Sequence, residues 1–250
     1  MFKNYIFGWH AVLAILKANP SNIKCLYVQE GRKDKRLQGV TTIADRLGVK
    51  MQALPRLKLD QLVGEEANHQ GIVVEVKNIL PRTNDLTSII AHATAPLLFL
   101  ILDGVQDPHN LGACLRTANA AKVDAVIVPK DNAVGLTPAV CKVASGAAQT
   151  TNFIQVTNLA RTLEFLKEKN VWIYGATEEA TQSLYEVDFK GSCAIVLGAE
   201  GTGVRRLTKE SCDFLFNIPM LGDVPSLNVS VACGVCLFET VRQRKYAVKK

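Results

Sequence analysis

Apolar residues recur at helical spacing near the start of the chain, at Ala11, Leu13, Ile15 and Leu16, within an uncharged stretch from Tyr5 to Leu16 that reads as one amphipathic helix. A β-type run from Ile23 to Val28 follows, then a charged turn from Glu30 to Arg36. A second helix is expected to run to Leu47 and stop at Gly48, with a strand from Val49 to Leu54 after it. His69-Gln-Gly then leads into an alternating strand from Ile72 to Val76, which completes a compact α/β unit. Between Asn78 and Thr94 the pattern loses its period apart from a short helical patch, Leu86 to Ala91, and this stretch is expected to be a linker.

Beyond it the pattern changes character. Short, uninterrupted apolar runs at Leu97–Leu102, Ala125–Val128, Val171–Tyr174 and Ala194–Leu197 are separated mostly by helical segments such as Leu111–Ala121 and Leu159–Lys169. Continuous rather than alternating hydrophobicity marks strands buried on both faces, hence an α/β domain with a largely parallel sheet. In such sheets ligands bind beyond the carboxyl ends of the strands, which directs attention to the loops after Leu102, Tyr174, Leu197 and Ile218. The expected division is 1–77 as a small domain, 78–94 as a linker and 95–250 as a second domain.

Composition narrows the function class. A chain of 250 residues suits two modest domains, and 48% hydrophobic with 21% charged residues excludes a disordered protein. No apolar run approaches the roughly 20 residues that span a bilayer; the best, from Pro96, stops at Asp103. The uncharged amino-terminal stretch is followed by no small-residue cleavage site, so it does not read as a secretory signal. Seven scattered cysteines form no disulfide framework and suggest a reducing, cytoplasmic setting. The formal charge of +6 is uneven: residues 1–77 carry 12 basic and 7 acidic side chains, the remainder 17 and 16. Clustered cations fit a module that faces nucleic acid, and fit a solvated face equally well.

Candidate chemistry sits in three of the loops. In Asp103-Gly-Val-Gln-Asp-Pro-His-Asn-Leu-Gly-Ala-Cys-Leu-Arg116, Asp107 is placed as an N-cap and Pro108 in the first helical turn, so Asn110 lies near a helix N-terminus facing a pocket. Arg116 follows among small and apolar residues and, taken alone, reads more readily as half of a buried ion pair than as a catalytic group. The loop from Leu197 to Arg206 sets three glycines around Glu200, letting backbone approach a ligand closely. It lacks the Gly-Lys-Ser/Thr of a phosphate-binding P-loop, and no strand leads into Gly-x-Gly-x-x-Gly, which disfavours a nicotinamide enzyme. In the segment Asn217 to Ala232, Ser226 and Asn228 stand at a helix start, where capping alone would explain either. Cys233 and Cys236 form a C-x-x-C inside an apolar helix, Val229 to Phe238, with no second pair to complete a metal site, so core packing is expected. His109 has no serine or cysteine elbow to serve, and hydrolase chemistry is unsupported.

Ile101-Leu-Asp-Gly-Val-Gln-Asp-Pro-His-Asn-Leu-Gly-Ala, Gly198-Ala-Glu-Gly and Ser226-Leu-Asn-Val-Ser-Val-Ala, in that order and spacing, resemble the three motifs of the SpoU (TrmH) family of RNA ribose 2′-O-methyltransferases, within the SPOUT superfamily. Tyr5-Ile-Phe-Gly-Trp-His-Ala-Val and His69-Gln-Gly-Ile look like that family's small, ribosomal-protein-like RNA-binding module, so nearly the whole chain is covered. The resemblance implies a C-terminal trefoil knot, a homodimer, S-adenosylmethionine as methyl donor, no metal, and a guanosine ribose of 23S rRNA as substrate. Another RNA such as tRNA, or an RNA-binding protein without chemistry, are the alternatives. By the same resemblance Arg116 is essential, as base or as electrostatic positioner, and Asn110, Glu200, Ser226 and Asn228 orient it and the substrate. Backbone around Gly198, Ile218 and Leu227 is expected to hold the donor, with Thr177 near its methionine end, and a β-branched residue at Gly198 to clash with it. Pro225 stands where the family often carries a small residue.

Overall fold

The computed structural model describes residues 5–32, 34–64, 67–77, 85–94 and 96–246. In chain order the first part holds β1 (Tyr5–Phe7), α1 (Trp9–Ala18), β2 (Ile23–Gln29), α2 (Lys35–Arg46), β3 (Met51–Leu54), α3 (Arg56–Val63) and β4 (Ile72–Val76). It continues with α4 (Leu86–Ala91), β5 (Leu98–Asp103), α5 (Pro108–Ala120), β6 (Ala125–Pro129), α6 (Pro138–Val143), α7 (Ala147–Thr150) and β7 (Phe153–Val156). Last come α8 (Leu159–Glu168), β8 (Trp172–Ala176), β9 (Cys193–Gly198), α9 (Arg206–Glu210), β10 (Phe214–Phe216) and α10 (Val229–Lys245). These elements form two compact units, Met1–Pro81 with Leu136–Thr150, and Arg82–Gly135 with Thr151–Lys250. No described helix is long and apolar enough to cross a membrane.

The first unit is built on a four-stranded sheet ordered β1-β4-β2-β3, with β4 antiparallel to β1 and β2, and β3 parallel to β2. The pleat of β4 sends Ile72, Val74 and Val76 into one core with Trp9, Val12, Ile15 and Leu16 of α1 and Leu37, Val40 and Ala44 of α2. Val73 points the other way, to Tyr5 and to Leu59 of α3. The single helix expected over Tyr5–Leu16 is corrected here. Tyr5 to Phe7 pair with β4 and alternate between the two cores, and Gly8, at φ 87°, breaks the chain before α1 begins at Trp9.

The family-like residues of this unit act as stitches. Buried His69 accepts the Gly71 N–H at Nδ1 (3.0 Å), so its Nε2 carries the proton and donates to Asp60 Oδ1 at 2.8 Å. Gln70 Oε1 accepts the Trp9 N–H (3.2 Å), while Arg32 lies 5.5 Å over the Trp9 ring and donates to the Gln70 carbonyl at 2.7 Å. Within the same unit α6 packs on β1 and α7 on α1, burying Val140, Cys141, Ala144, Ala147 and Ala148.

The second unit is a six-stranded sheet ordered β10-β8-β9-β5-β6-β7 in which every ladder is parallel. Phe99, Ile101, Ala125, Ile127, Ala194 and Val196 meet Leu159, Leu163 and Leu166 of α8 on one face. Of the expected linker, residues 78–84 lie outside the described residues, but α4 lays Leu86, Ile89 and Ile90 on this same core. Helix α10 packs against α5 and β9 and runs well past Phe238, because tertiary partners hold its last turns. Gln243 accepts the Phe189 N–H and donates to the Val187 carbonyl (both 2.8 Å), and Arg244 donates to the carbonyls of Leu97 and Phe189 (both 2.9 Å).

Candidate active site

The sheet order reverses between β5 and β9: from β5 the chain goes to β6 and β7 on one side, and β9, β8 and β10 lie on the other. Open α/β sheets bind their ligands beyond the carboxyl ends of the strands at such a switch point, here β5 and β9. Asp107 caps α5 by accepting the His109 N–H (3.0 Å), with Pro108 in the first turn, which sets Asn110 in that same turn beyond the end of β5. Glu200 comes from the loop after β9, and Asn228 from the end of the segment that joins β10 to α10.

Asn228 caps α10: its Oδ1 accepts from the Ser230 backbone N–H (2.9 Å) and hydroxyl (2.6 Å). The cap fixes which way the amide faces, so Nδ2 points toward Asn110 and Glu200. There it donates to Asn110 Oδ1 at 3.0 Å and to Glu200 Oε1, and Asn110 Nδ2 donates to the same Glu200 oxygen at 3.3 Å. Capping alone therefore does not account for Asn228. Three loops remote in sequence converge on one carboxylate oxygen, leaving the other oxygen of Glu200 without a hydrogen-bond partner among the described residues.

Two of the expected residues stand outside this ring of contacts. Arg116 is exposed and makes no hydrogen bond or ion pair among the described residues, so its reading as a buried ion pair is corrected. Six residues along a helix turns a side chain about 120° from Asn110, away from the packed face of α5. Ser226 is exposed in the loop before the cap and has no side-chain hydrogen bond among the described residues.

The expected donor residues gather on neighbouring loops. The loops after β8 and β10 are knitted together by Thr177 N–H to the Phe216 carbonyl (2.9 Å) and Leu184 N–H to the Asn217 carbonyl (2.8 Å). Thr177 donates its hydroxyl to Glu179 (2.9 Å), whose carboxyl is held below its ordinary range by the hydrogen bond from Lys209 and then by Thr177 itself. Ile218 and Leu227 are half-buried, and the backbone from 218 to 227 makes no backbone–backbone hydrogen bond among the described residues. Free backbone donors and acceptors beside half-buried aliphatic side chains suit a purine edge and its apolar face. Gly198 departs from expectation. A Cβ there would overlap the Gly203 carbonyl and the Val204 nitrogen, because the loop folds back over it through Gly203 N–H to the Ala199 carbonyl at 2.9 Å. A β-branched residue at 198 would thus collide with the chain itself before any donor.

One pair is not read from the sequence, where Asp103 ends an apolar run and opens the first candidate loop with no partner assigned to it. Asp103 is 1% exposed, and Arg205 donates to it from its backbone N–H (3.0 Å), from Nε (2.6 Å) and from Nη2. A carboxylate ending a fully buried strand requires such a partner, and that was the available signal. Cys233 and Cys236 are fully buried as expected. A hydrogen bond with Cys114 and burial push the Cys233 thiol up, and burial pushes Cys236 up to about 12, so both stay protonated at neutral pH.

Comparison with known proteins places the whole chain. Residues 97–238 match the SpoU rRNA Methylase family, and residues 5–80 match the RNA 2'-O ribose methyltransferase substrate binding family. The chain is 56% identical over 243 residues to a 23S rRNA (guanosine-2'-O-)-methyltransferase RlmB of Coxiella burnetii, covering 96% of each. It is 55% identical to the RlmB of Vibrio cholerae, covering 98% of each. Its fold matches that of the SpoU methyltransferase AviRb from Streptomyces viridochromogenes, solved in complex with the cofactor AdoMet, with a TM-score of 0.80 at 19% identity, over 98% of this chain and 92% of that one. On the motif ring, the parallel sheet and these matches together, the chain belongs to the SpoU rRNA methylase family.

Proposed function

We propose that this chain, as a cytoplasmic homodimer, transfers the methyl group of S-adenosylmethionine to the ribose 2′-hydroxyl of a guanosine in 23S rRNA. The observation that carries the reading is the Asn110–Glu200–Asn228 ring, which draws the three motif loops to one oxygen at the sheet's switch point. Ribosomal rather than transfer RNA is favoured by the relatives at 56% and 55% identity, which are named for 23S rRNA and match along almost the whole chain. Residues 1–77 are read as the RNA-binding domain and 95–250 as the catalytic domain.

S-adenosylmethionine, when bound, supplies a methyl group on a sulfonium, and the residues that would hold it are the backbone of 218–227 with Gly198, and Thr177 beside it. The rest falls to this chain's side chains. A ribose hydroxyl is a weak nucleophile, so negative charge developing on its oxygen has to be stabilised and its proton accepted. Arg116 is exposed and unpaired among the described residues, and is assigned to that oxygen. A guanidinium stays protonated at neutral pH, which favours electrostatic stabilisation over a role as base, and the hydroxyl proton leaves to solvent water as the methyl group is transferred. Asn110, Glu200 and Asn228 form a preformed frame that orients the ribose, and Ser226 is assigned to the adjoining phosphate.

Support for the trefoil knot lies in the path of the chain. Strand β10 pairs with β8 at the sheet edge, yet α10 begins beside Glu200 in the loop after β9, so residues 217–228 cross back over the sheet. Support for a homodimer lies in α10, where Val231 and Phe238 are each 50% exposed and Val235 stands between them at helical spacing.

The test is to map ribose methylation in cellular RNA with and without the protein, restoring it as wild type or as Arg116→Ala. One 23S rRNA guanosine methylation should vanish, return with the wild type and stay absent with Arg116→Ala, which still binds the donor in calorimetry. Loss at a tRNA ribose would reassign the substrate, and no change in any RNA would leave an RNA-binding protein without this chemistry.

A further inference from the structure

We propose that Arg205 is a positioning residue: clamped on the buried carboxylate of Asp103, it holds the 199–204 loop in the shape that presents Glu200. The proposal rests on the methyl-transfer reading above for its catalytic consequence. Its structural basis is independent of that reading.

A carboxylate taken out of water is tolerated only when paired and hydrogen-bonded. Asp103 is 1% exposed, and among the described residues the hydrogen bonds to its carboxylate all come from one residue: the Arg205 backbone N–H to Oδ2 (3.0 Å), and Nε (2.6 Å) and Nη2 to Oδ1. The Asp103 carbonyl accepts the Ala199 N–H at 3.2 Å. A single strand-end residue therefore grips both ends of the loop, at 199 and at 205. Between them Gly203 N–H closes on the Ala199 carbonyl (2.9 Å), and Glu200 projects from the closed loop to Asn110 and Asn228. The Arg205 side chain is 45% exposed, so it does not fill the core. Among the described residues its neighbour Arg206 pairs only with Glu210, both largely exposed, and supplies an internal control. A guanidinium can engage Asp103 through two of its nitrogens, whereas a lysine offers a single point charge.

The experiment uses the full chain as Arg205→Ala, Arg205→Lys and Arg206→Ala, with backbone amide exchange as the first readout. In Arg205→Ala, exchange of the 199–204 amides should quicken at least tenfold with α5 unchanged. Arg205→Lys should fall between it and wild type, and Arg206→Ala should match wild type. Unchanged protection of 199–204 in Arg205→Ala overturns the proposal whether or not the chain methylates RNA. Failure of the enzymatic reading shows differently, as a wild-type chain that transfers no methyl group. The second readout is a double-mutant cycle on single-turnover methyl transfer. Arg205→Ala should slow transfer at least tenfold in the wild-type background and less than twofold in a Glu200→Gln background, because its effect runs through Glu200. Equal factors in both backgrounds would mean that Arg205 merely supports the fold, and would overturn the assignment.

Discussion

Asn228 uses the two ends of one amide for different purposes, and a substitution can separate them. Asn228→Asp keeps an oxygen for the Ser230 N–H and adds a negative charge at a helix N-terminus, so unfolding stability should stay within about 1 kcal/mol of wild type. Its second oxygen, however, replaces a donor with an acceptor facing Glu200, and methyl transfer should fall on the order of a hundredfold. Asn228→Ala should lose the activity and about 1 kcal/mol of stability as well. Urea titrations beside single-turnover assays check both, and a fully active Asn228→Asp would remove Nδ2 from the site. At this scale Asn110 and Glu200 are legible in sequence as polar residues in loops beyond buried strands, whereas Asn228 reads there as a helix cap and is singled out only by the family resemblance. Arg116 and Asp103 are less legible. Whether an arginine or an aspartate on an apolar element is buried, and against what, depends on residues far away in the chain, here 102 positions for Asp103 and Arg205.

Helix α10 shows what an element owes to its neighbours. Glu239 is buried at 7% exposure, and its carboxyl is held below the ordinary 4.5 by the hydrogen bond from Arg242, with a further one from Gln243, against the opposing effect of burial. The folded chain therefore binds that proton less readily than the unfolded chain. The interaction adds stability above the unfolded value and loses it as the pH falls through the lower, folded value. Glu239→Gln should be less stable than wild type at pH 7, with the difference shrinking as the pH drops below about 4. Denaturant midpoints measured from pH 7 to 3 test this, and a constant difference would mean that the ion pair contributes nothing. The helix itself is legible up to Phe238 from its apolar residues. Its last turns are polar, and they are helical because Gln243 and Arg244 bond to the 187–191 loop and to Leu97.

At the scale of the whole molecule, the first unit includes Leu136–Thr150, a segment that lies in sequence between β6 and β7. A fragment of residues 95–250 lacks α1 and β1, and so strips the cover from Val140, Cys141, Ala144, Ala147 and Ala148. Such a fragment should bind the donor as the full chain does, methylate rRNA at least tenfold more slowly, and lose amide protection across 136–150 while β5 and β9 keep theirs. Exchange measured on fragment and full chain decides it: equal protection of 136–150 in both would mean that packing on α1 does not order this segment.

Local pattern settled a good deal of this protein. Buried strands on both faces announced the parallel sheet, Asp107 and Pro108 announced the start of α5, and three polar loops in order announced the family, because these signals are carried by neighbours in sequence. Tertiary structure decided the rest. Pairing with β4 made a strand of Tyr5–Phe7 within an apparently helical stretch, and the close fold of the 199–204 loop reserved the space over Gly198. The Asp103 carboxylate found its partner in a loop a hundred residues away. Each of these depends on which surface arrives opposite a residue once the chain has folded, and a one-dimensional pattern does not carry that information.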